Sequence, residues 1–450
     1  MQTASQDPPH ANRWDALAMA AAAIRSWADL NTELLVSIVA AADNGLSIQD
    51  YQCLRGVCSA WRSALEPPYP CMLSLADDGG RSASVFSLPM RRSFILYTAP
   101  EPLYEGRREG RDRNGSRVSV IGSGNGRLAV AVDHGKPSYD MHGLVTISGW
   151  QTVRILLLDP VSGRGGYGEL PPPPTSSDDY KCVLKVVFTP DAGRGTVVAT
   201  WNSSKVSYID TGSANMVWTT VDVVGHTRHL TDLAFDAGGR NLYCLDSYGA
   251  VHVLGIPHSC QDPEPVANDP PLTSLPAFFP APYDEVFTLT RTKHLFFCHG
   301  SLYQIWQNTI AAVKLPSGFR IPMDGIHVVR YDPGRWPAWE VVKDLGGSSV
   351  FIGKNSNPAV VRAAGASPGV RPNCVYWINR QRVPMVCDVA TGTSVPFLTP
   401  SPNGVCNGDC WYLDDDSTRN NCDEPGAPIA TSIILHLQAI NRQLRTSLPF

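Results

Sequence analysis

The sequence predicts a mainly β chain: a small N-terminal three-helix module, then a β-propeller, then a short C-terminal helical tail. Three observations point there. The 450 residues include 38 Gly and 37 Pro, about one residue in six, more breakers than a mostly helical chain tolerates. From Cys71 onward, short runs of β-formers alternate with Gly, Pro, Asp and Asn. Between Trp27 and Leu65, by contrast, the chain is proline-free and spaced like helices.

Composition narrows the function classes. With 37 basic and 41 acidic side chains the formal net charge is −4, so neither nucleic acid nor an anionic membrane is the expected partner. A hydrophobic share of 43% with 11 Trp excludes wholesale disorder. Twelve cysteines are too few for a disulfide scaffold.

Residues 1–26 open with a polar stretch, followed by the Ala-rich run Ala16 to Ile24. That run is far shorter than the roughly 20 residues needed to span a bilayer. No charged segment precedes an apolar core of signal-peptide length. The expectation is a cytoplasmic or nuclear, non-secreted protein with reduced thiols. The sequons at Asn114 and Asn202 are then coincidental.

Residues 27–67 form the helical module. Leu30, Leu34 and Ile38 recur every four residues, with Leu35 and Val39 widening the stripe. Asp43-Asn44-Gly45 breaks it. A second pattern joins Tyr51, Leu54, Cys58, Trp61 and Leu65, with Ser47 or Asp50 as candidate caps and Pro67-Pro68 as the stop. Cys53 and Cys58 read as small buried hydrophobes. A module of this size is near the lower limit for an independent core.

Residues 71–413 hold more than twenty short strands. Examples are Arg127 to Val132, Val153 to Leu158, Thr196 to Trp201, Leu295 to Cys298 and Ile326 to Tyr331. Turn sequences such as Asp236-Ala237-Gly238-Gly239, Asp246-Ser247-Tyr248-Gly249, Asp332-Pro333-Gly334 and Thr391-Gly392 follow several of them. Strands without intervening helices exclude parallel α/β folds. Their number exceeds a single sandwich and suits a propeller. Units fall near 118–170, 180–225, 230–275, 285–345 and 348–398. Strands around 71–98 pair with the segment near Trp411 to close the ring. The sequence leaves the blade number open.

The remaining segments read as irregular. Glu105 to Arg117 is a solvated charged loop, and Pro171 to Asp179 a surface polyproline segment. Residues 414–450 form a polar linker and then a tail helix marked by Ile433, Leu437, Ile440 and Leu444.

Catalytic signatures do not stand out. There is no nucleophile elbow, P-loop or zincin motif. Cys406, Cys410, Cys422 and His436 lack finger spacing, and Asp414 to Asp416 lacks calcium-loop spacing. His226, Arg228 and His229 read as a loop rim. The expectation is a non-enzyme with no catalytic residue, no cofactor and no metal.

Trp27 to Ile38 resembles the first helix of an F-box. Leu54-Arg55-Gly56-Val57-Cys58-Ser59-Ala60-Trp61-Arg62 resembles its last helix, although Asn31 stands where that motif usually has proline. Further stretches resemble plant F-box proteins with a C-terminal KIB-type β-propeller. They are Ile121 to Leu128, Leu158-Asp159-Pro160-Val161-Ser162-Gly163 followed by Leu170-Pro171-Pro172, and most sharply Trp339 to Asn355, followed by Arg371-Pro372-Asn373-Cys374-Val375-Tyr376-Trp377 and Cys387-Asp388-Val389-Ala390-Thr391-Gly392. The resemblance spans about residues 27–413.

It implies the substrate-recognition subunit of an SCF-type (Skp–cullin–F-box) ubiquitin ligase. The F-box would dock a Skp-type adaptor and through it a cullin–RING ligase, while the propeller binds an unknown target protein. Leu30, Leu34, Leu35, Ile38, Leu54, Val57, Cys58, Trp61 and Arg62 are the residues for adaptor binding or the module's own core. The sequence does not divide them between the two tasks. Two alternatives stand beside it: a propeller binding protein that sequesters its target without an adaptor, and a propeller hydrolase or lyase. The last requires His or carboxylate groups converging at the central channel.

Overall fold

A computed structural model describes residues 31–41, 46–75, 83–96, 117–124, 126–133, 138–139, 145–147, 153–158, 167–172, 182–183, 185–190, 197–213, 216–224, 229–236, 238–239, 241–256, 278–282, 292–308, 313–314, 320–321, 325–353, 356–363, 369–379, 382–397 and 410–413. The expected N-terminal segment, Leu30, the Glu105–Arg117 loop apart from its last residue, and the tail helix lie outside them. Two compact units divide the chain: residues 1–66 with 425–450, and residues 67–424.

The first unit holds three described helices, α1 (Thr32–Ala41), α2 (Ile48–Gly56) and α3 (Ser59–Ala64). The periodicity joins the last two into one stretch, because Leu54, Cys58 and Trp61 keep helical spacing across the join. The structure separates them at Val57-Cys58. There Cys58 turns extended and its Sγ accepts the Trp61 N–H at 3.4 Å. Cys58 is therefore a half-buried helix cap rather than a buried hydrophobe, and Cys53 is half-buried too.

The second unit is a six-bladed ring of sheets. From hub to rim, blade 1 comprises Arg117–Gly124, Arg127–Asp133, Val153–Leu158 and Tyr167–Leu170; blade 2 comprises Val187–Phe188, Val197–Asn202, Lys205–Asp210 and Thr219–Asp222. Blade 3 comprises Leu230–Phe235, Asn241–Asp246, Val251–Gly255 and Phe278–Phe279; blade 4 comprises Thr292–Cys298, Ser301–Gln307, Ile326–Tyr331 and Trp339–Val341. Blade 5 has five strands: Ala359–Arg362, Ser348–Ile352, Cys374–Ile378, Pro384–Asp388 and Thr393–Pro396. Its second and third run parallel, unlike every other described pair. The five sketched sequence units fall on blades 1 to 5.

Blade 6 closes the ring. Cys410–Tyr412 supplies its hub strand, and Cys71–Leu75, Ala83–Ser87 and Arg92–Leu96 supply the rest. Met72 pairs with Trp411 and Cys71 with Tyr412, the pairing expected of the segment near Trp411. Ser123 Oγ of blade 1 donates to the Trp411 carbonyl at 2.6 Å, and Tyr412 Oη donates to the Gly126 carbonyl at 2.8 Å. First and last blades are thus locked without an open sheet edge between them.

Apolar side chains fill the seams. Ile121, Ile155 and Val198 join blades 1 and 2; Trp201, Leu233 and Leu242 join 2 and 3. Tyr243, Leu302 and Trp339 join 3 and 4, and Phe296, Val350 and Trp377 join 4 and 5. Between 5 and 6, Phe351 stacks on Tyr376 at 4.5 Å and meets Trp411 edge-on at 5.0 Å. Each such side chain contributes about 1.5–3 kcal/mol by burial. Among the described residues no helix is long and apolar enough to cross a membrane.

Candidate functional site

The helical module is built by local capping. Asn31 Oδ1 accepts the Glu33 N–H at 2.8 Å, and the Asn31 carbonyl accepts Leu35 N–H. Asn31 is therefore the N-cap of α1. Ser47 caps α2, accepting Asp50 N–H at 3.0 Å while its hydroxyl donates to Asp50 Oδ2 at 2.6 Å. That reciprocal pair resembles a capping box.

Burial now separates the candidate residues. Leu35, Leu54 and Trp61 are buried, together with Val39, Ile48, Tyr51 and Leu65. Leu34 is 51% exposed and Val57 40% exposed. Ile38, one turn after Leu34 on α1, is half-buried; Arg62 is exposed. Val36, 46% exposed, joins the outward apolar set. Sequence spacing missed it because it lies off the Leu30–Leu34–Ile38 stripe.

Arg55, a motif position in sequence, is buried, and its Nε donates to the Leu65 carbonyl at 3.2 Å. Tyr51 Oη donates to the Glu66 carbonyl at 2.8 Å. These two bonds satisfy carbonyls just past the end of α3, where a helix leaves such groups without partners.

The propeller carries a second concentration of chemistry, at its hub. Lys185 stands just before the inner strand of blade 2, Asp232 lies on that of blade 3, and His294 on that of blade 4. Lys185 Nζ donates to Asp232 Oδ1 at 2.5 Å, and Leu233 N–H reaches the same oxygen at 2.9 Å. Leu295 N–H donates to Asp232 Oδ2 at 3.0 Å, with His294 Nδ1 3.5 Å from it. Burial opposes the Asp232 charge, but Lys185 and His294 outweigh it and hold the carboxyl below its usual value.

One carboxylate thereby ties three blades together. Both of its oxygens are engaged and the three side chains are 8% exposed or less. That suits a clamp better than a general base, which must reach a substrate proton.

Beside it, Lys293 donates to the Ser247 carbonyl at 2.9 Å and lies 4.9 Å over the Trp306 ring. Burial pushes its ammonium down to about 8, with Asp246 opposing. Gly249 makes room for that ring: a Cβ there would lie 2.6 Å from Trp306, at a positive φ of 94°. No sequence motif flagged this group, because its members come from separate, ordinary-looking strands. Of the rim residues His226, Arg228 and His229, only His229 is described, with Nδ1 3.0 Å from Ser203 Oγ. Cys410 is buried; the rest of its sequence cluster lies outside the described residues. Among the described residues no group of three or more His, Cys, Asp or Glu could hold a metal ion.

Six radial sheets, closed by strands from both ends of one unit, define a β-propeller protein. The chain belongs to the KIB1-4 beta-propeller family, which it matches over residues 86–412. No curated protein matches it. Among solved structures it is similar to the Cps50 (Swd1) β-propeller domain of Myceliophteria thermophila, at 13% identity over 72% of this chain and 81% of that one, TM-score 0.30. It is also similar to a putative 6-phosphogluconolactonase from Bacteroides uniformis, at 12% identity over 77% and 99%, TM-score 0.32. At such scores these likenesses carry no argument about activity.

Proposed function

We propose that this chain is the substrate-recognition subunit of an SCF-type ubiquitin ligase, acting in cytoplasm or nucleus. The helical module recruits a Skp-type adaptor, and through it a cullin–RING assembly. The propeller holds the target protein. The chain itself makes and breaks no bond; it raises the concentration of target near the ubiquitin-transfer machinery.

The observation that carries this reading is the polarity of the module. It buries Leu35, Leu54 and Trp61 yet leaves Leu34, Val36 and Val57 in solvent. Apolar side chains held out by a capped scaffold are what a partner interface requires. The F-box resemblance of the same stretch names the partner class.

Co-purification with a Skp-type adaptor tests it, comparing the wild type with a Leu34→Glu, Val57→Glu variant whose fold is checked by circular dichroism. Wild-type capture and loss in the variant support the receptor. No capture by the folded wild type sinks it and leaves sequestration of the target as the better account.

A further inference from the structure

A pocket of about 240 Å³ opens between blades 5 and 6. Phe86, Val386, Val395, Pro396 and Phe397 give it an apolar lining, and Arg91 and Arg371 complete it. Phe86 and Val386 are buried, while both arginines and Val395 are exposed. No described carboxylate lines the pocket or forms an ion pair with either guanidinium.

The two arginines come from opposite ends of the propeller sequence, and the fold holds both in place. Arg91 ends the turn between Ala83–Ser87 and Arg92–Leu96, with a left-handed φ of 49°. An arginine rarely adopts that conformation without support. Ser87 Oγ braces the turn, donating to the Pro68 carbonyl at 2.6 Å and accepting Met90 N–H at 3.3 Å. Arg371 is fixed through its backbone: its N–H donates to Tyr376 Oη at 2.8 Å and its carbonyl accepts from Ser349 Oγ at 2.6 Å. Gly369 brings the segments together. It has φ +79°, and a Cβ there would lie 2.8 Å from the Leu88 carbonyl oxygen. Only glycine permits so close an approach.

The geometry points to this pocket as a peptide-recognition site for a segment that places Asp or Glu beside an aromatic or aliphatic residue. The volume is below the range typical of drug-sized ligands and fits one or two side chains. The apolar lining takes the hydrophobic side chain. The guanidiniums take the carboxylate, the group their forked donors match. The assignment deepens the receptor reading by giving the chemistry of its target, and rests on that reading for its role. Its test needs no adaptor, so the two fail separately.

The experiment is selection of a phage-displayed random octapeptide library on the full-length chain, and in parallel on an Arg91→Glu, Arg371→Glu variant. The wild type is expected to enrich sequences with Asp or Glu within two residues of Phe, Leu, Ile or Trp. That enrichment disappears on the variant. The best peptide, titrated by fluorescence anisotropy, loses at least tenfold in affinity to Arg371→Ala and at least tenfold when its acidic residue becomes the amide. Circular dichroism shows the variants folded, and Arg371→Lys, which keeps the charge but not the fork, retains intermediate affinity. No acidic–apolar enrichment on the wild type overturns the assignment. Equal enrichment on the charge-reversed variant also overturns it.

Discussion

The helical module and the propeller break the inside–outside rule in opposite directions. The module places Leu34, Val36 and Val57 in solvent. The propeller places Lys185, Asp232, His294 and Lys293 in its interior. Neither is the arrangement that maximises stability, since exposed apolar area forgoes burial and buried charge pays desolvation. The contrast teaches where each unit answers to something besides its own core. The module's exception faces solvent, where the proposed adaptor would bind. The propeller's exception faces inward, where one carboxylate fixes three blades against one another.

The strongest way to break that contrast is at the hub. Asp232→Ala strands the buried Lys185 ammonium and two backbone N–H groups. Removing one member of a buried pair costs about 3–5 kcal/mol, so denaturant unfolding should show a loss of that size. A loss under about 1 kcal/mol would mean that Asp232 is not a clamp.

Within the module, Leu35→Ala should cost about 2–5 kcal/mol. Its neighbour Leu34→Ala should stay within about 0.5 kcal/mol. Adjacent leucines with equal costs would erase the division between core and interface.

The pH profile sharpens the propeller half. Burial holds the His327 imidazole down to about 4, against an ordinary value of about 6.5. As pH falls, the unfolded chain takes its proton before the folded one does. Stability is therefore full above about pH 6.5 and declines toward pH 4, by up to about 3 kcal/mol. His327→Gln should flatten that window in thermal melts. Asp232, held low, adds its own loss below about pH 3.9, the unfolded carboxyl value.

The smallest effect belongs to the surface. Arg154 and Glu169 pair at 2.7 Å across neighbouring strands of blade 1, with side chains 32% and 43% exposed. Glu169→Gln should cost no more than about 1 kcal/mol, less at high salt. A larger loss in the same unfolding series would show surface charge matching the hub in weight.

Much of the fold was legible because propeller blades announce themselves locally. The alternating strands and the turn at Asp246 to Gly249 follow from short-range chemistry, and the closing segment near Trp411 follows from the need to leave no open sheet edge. The parallel pair in blade 5 did not, since Ser348–Ile352 and Cys374–Ile378 look like any other buried strands. The hub ion group was hidden because its partners meet only when three blades assemble. The module's apolar residues were legible as a set. Their partition was not, because Leu34 and Leu35 are chemically identical and only the helix's orientation separates them. The break at Cys58 escaped because a thiol cap leaves the apolar spacing intact.

The most direct test of the central claim is calorimetric titration of a Skp-type adaptor into the wild type and a Leu34→Ala, Val57→Ala variant, with unfolding midpoints measured alongside. The expected result is an affinity loss of roughly 30-fold or more, the size typical of hot-spot residues, at an unchanged midpoint. Unchanged affinity, or a loss that tracks a lowered midpoint, would contradict it.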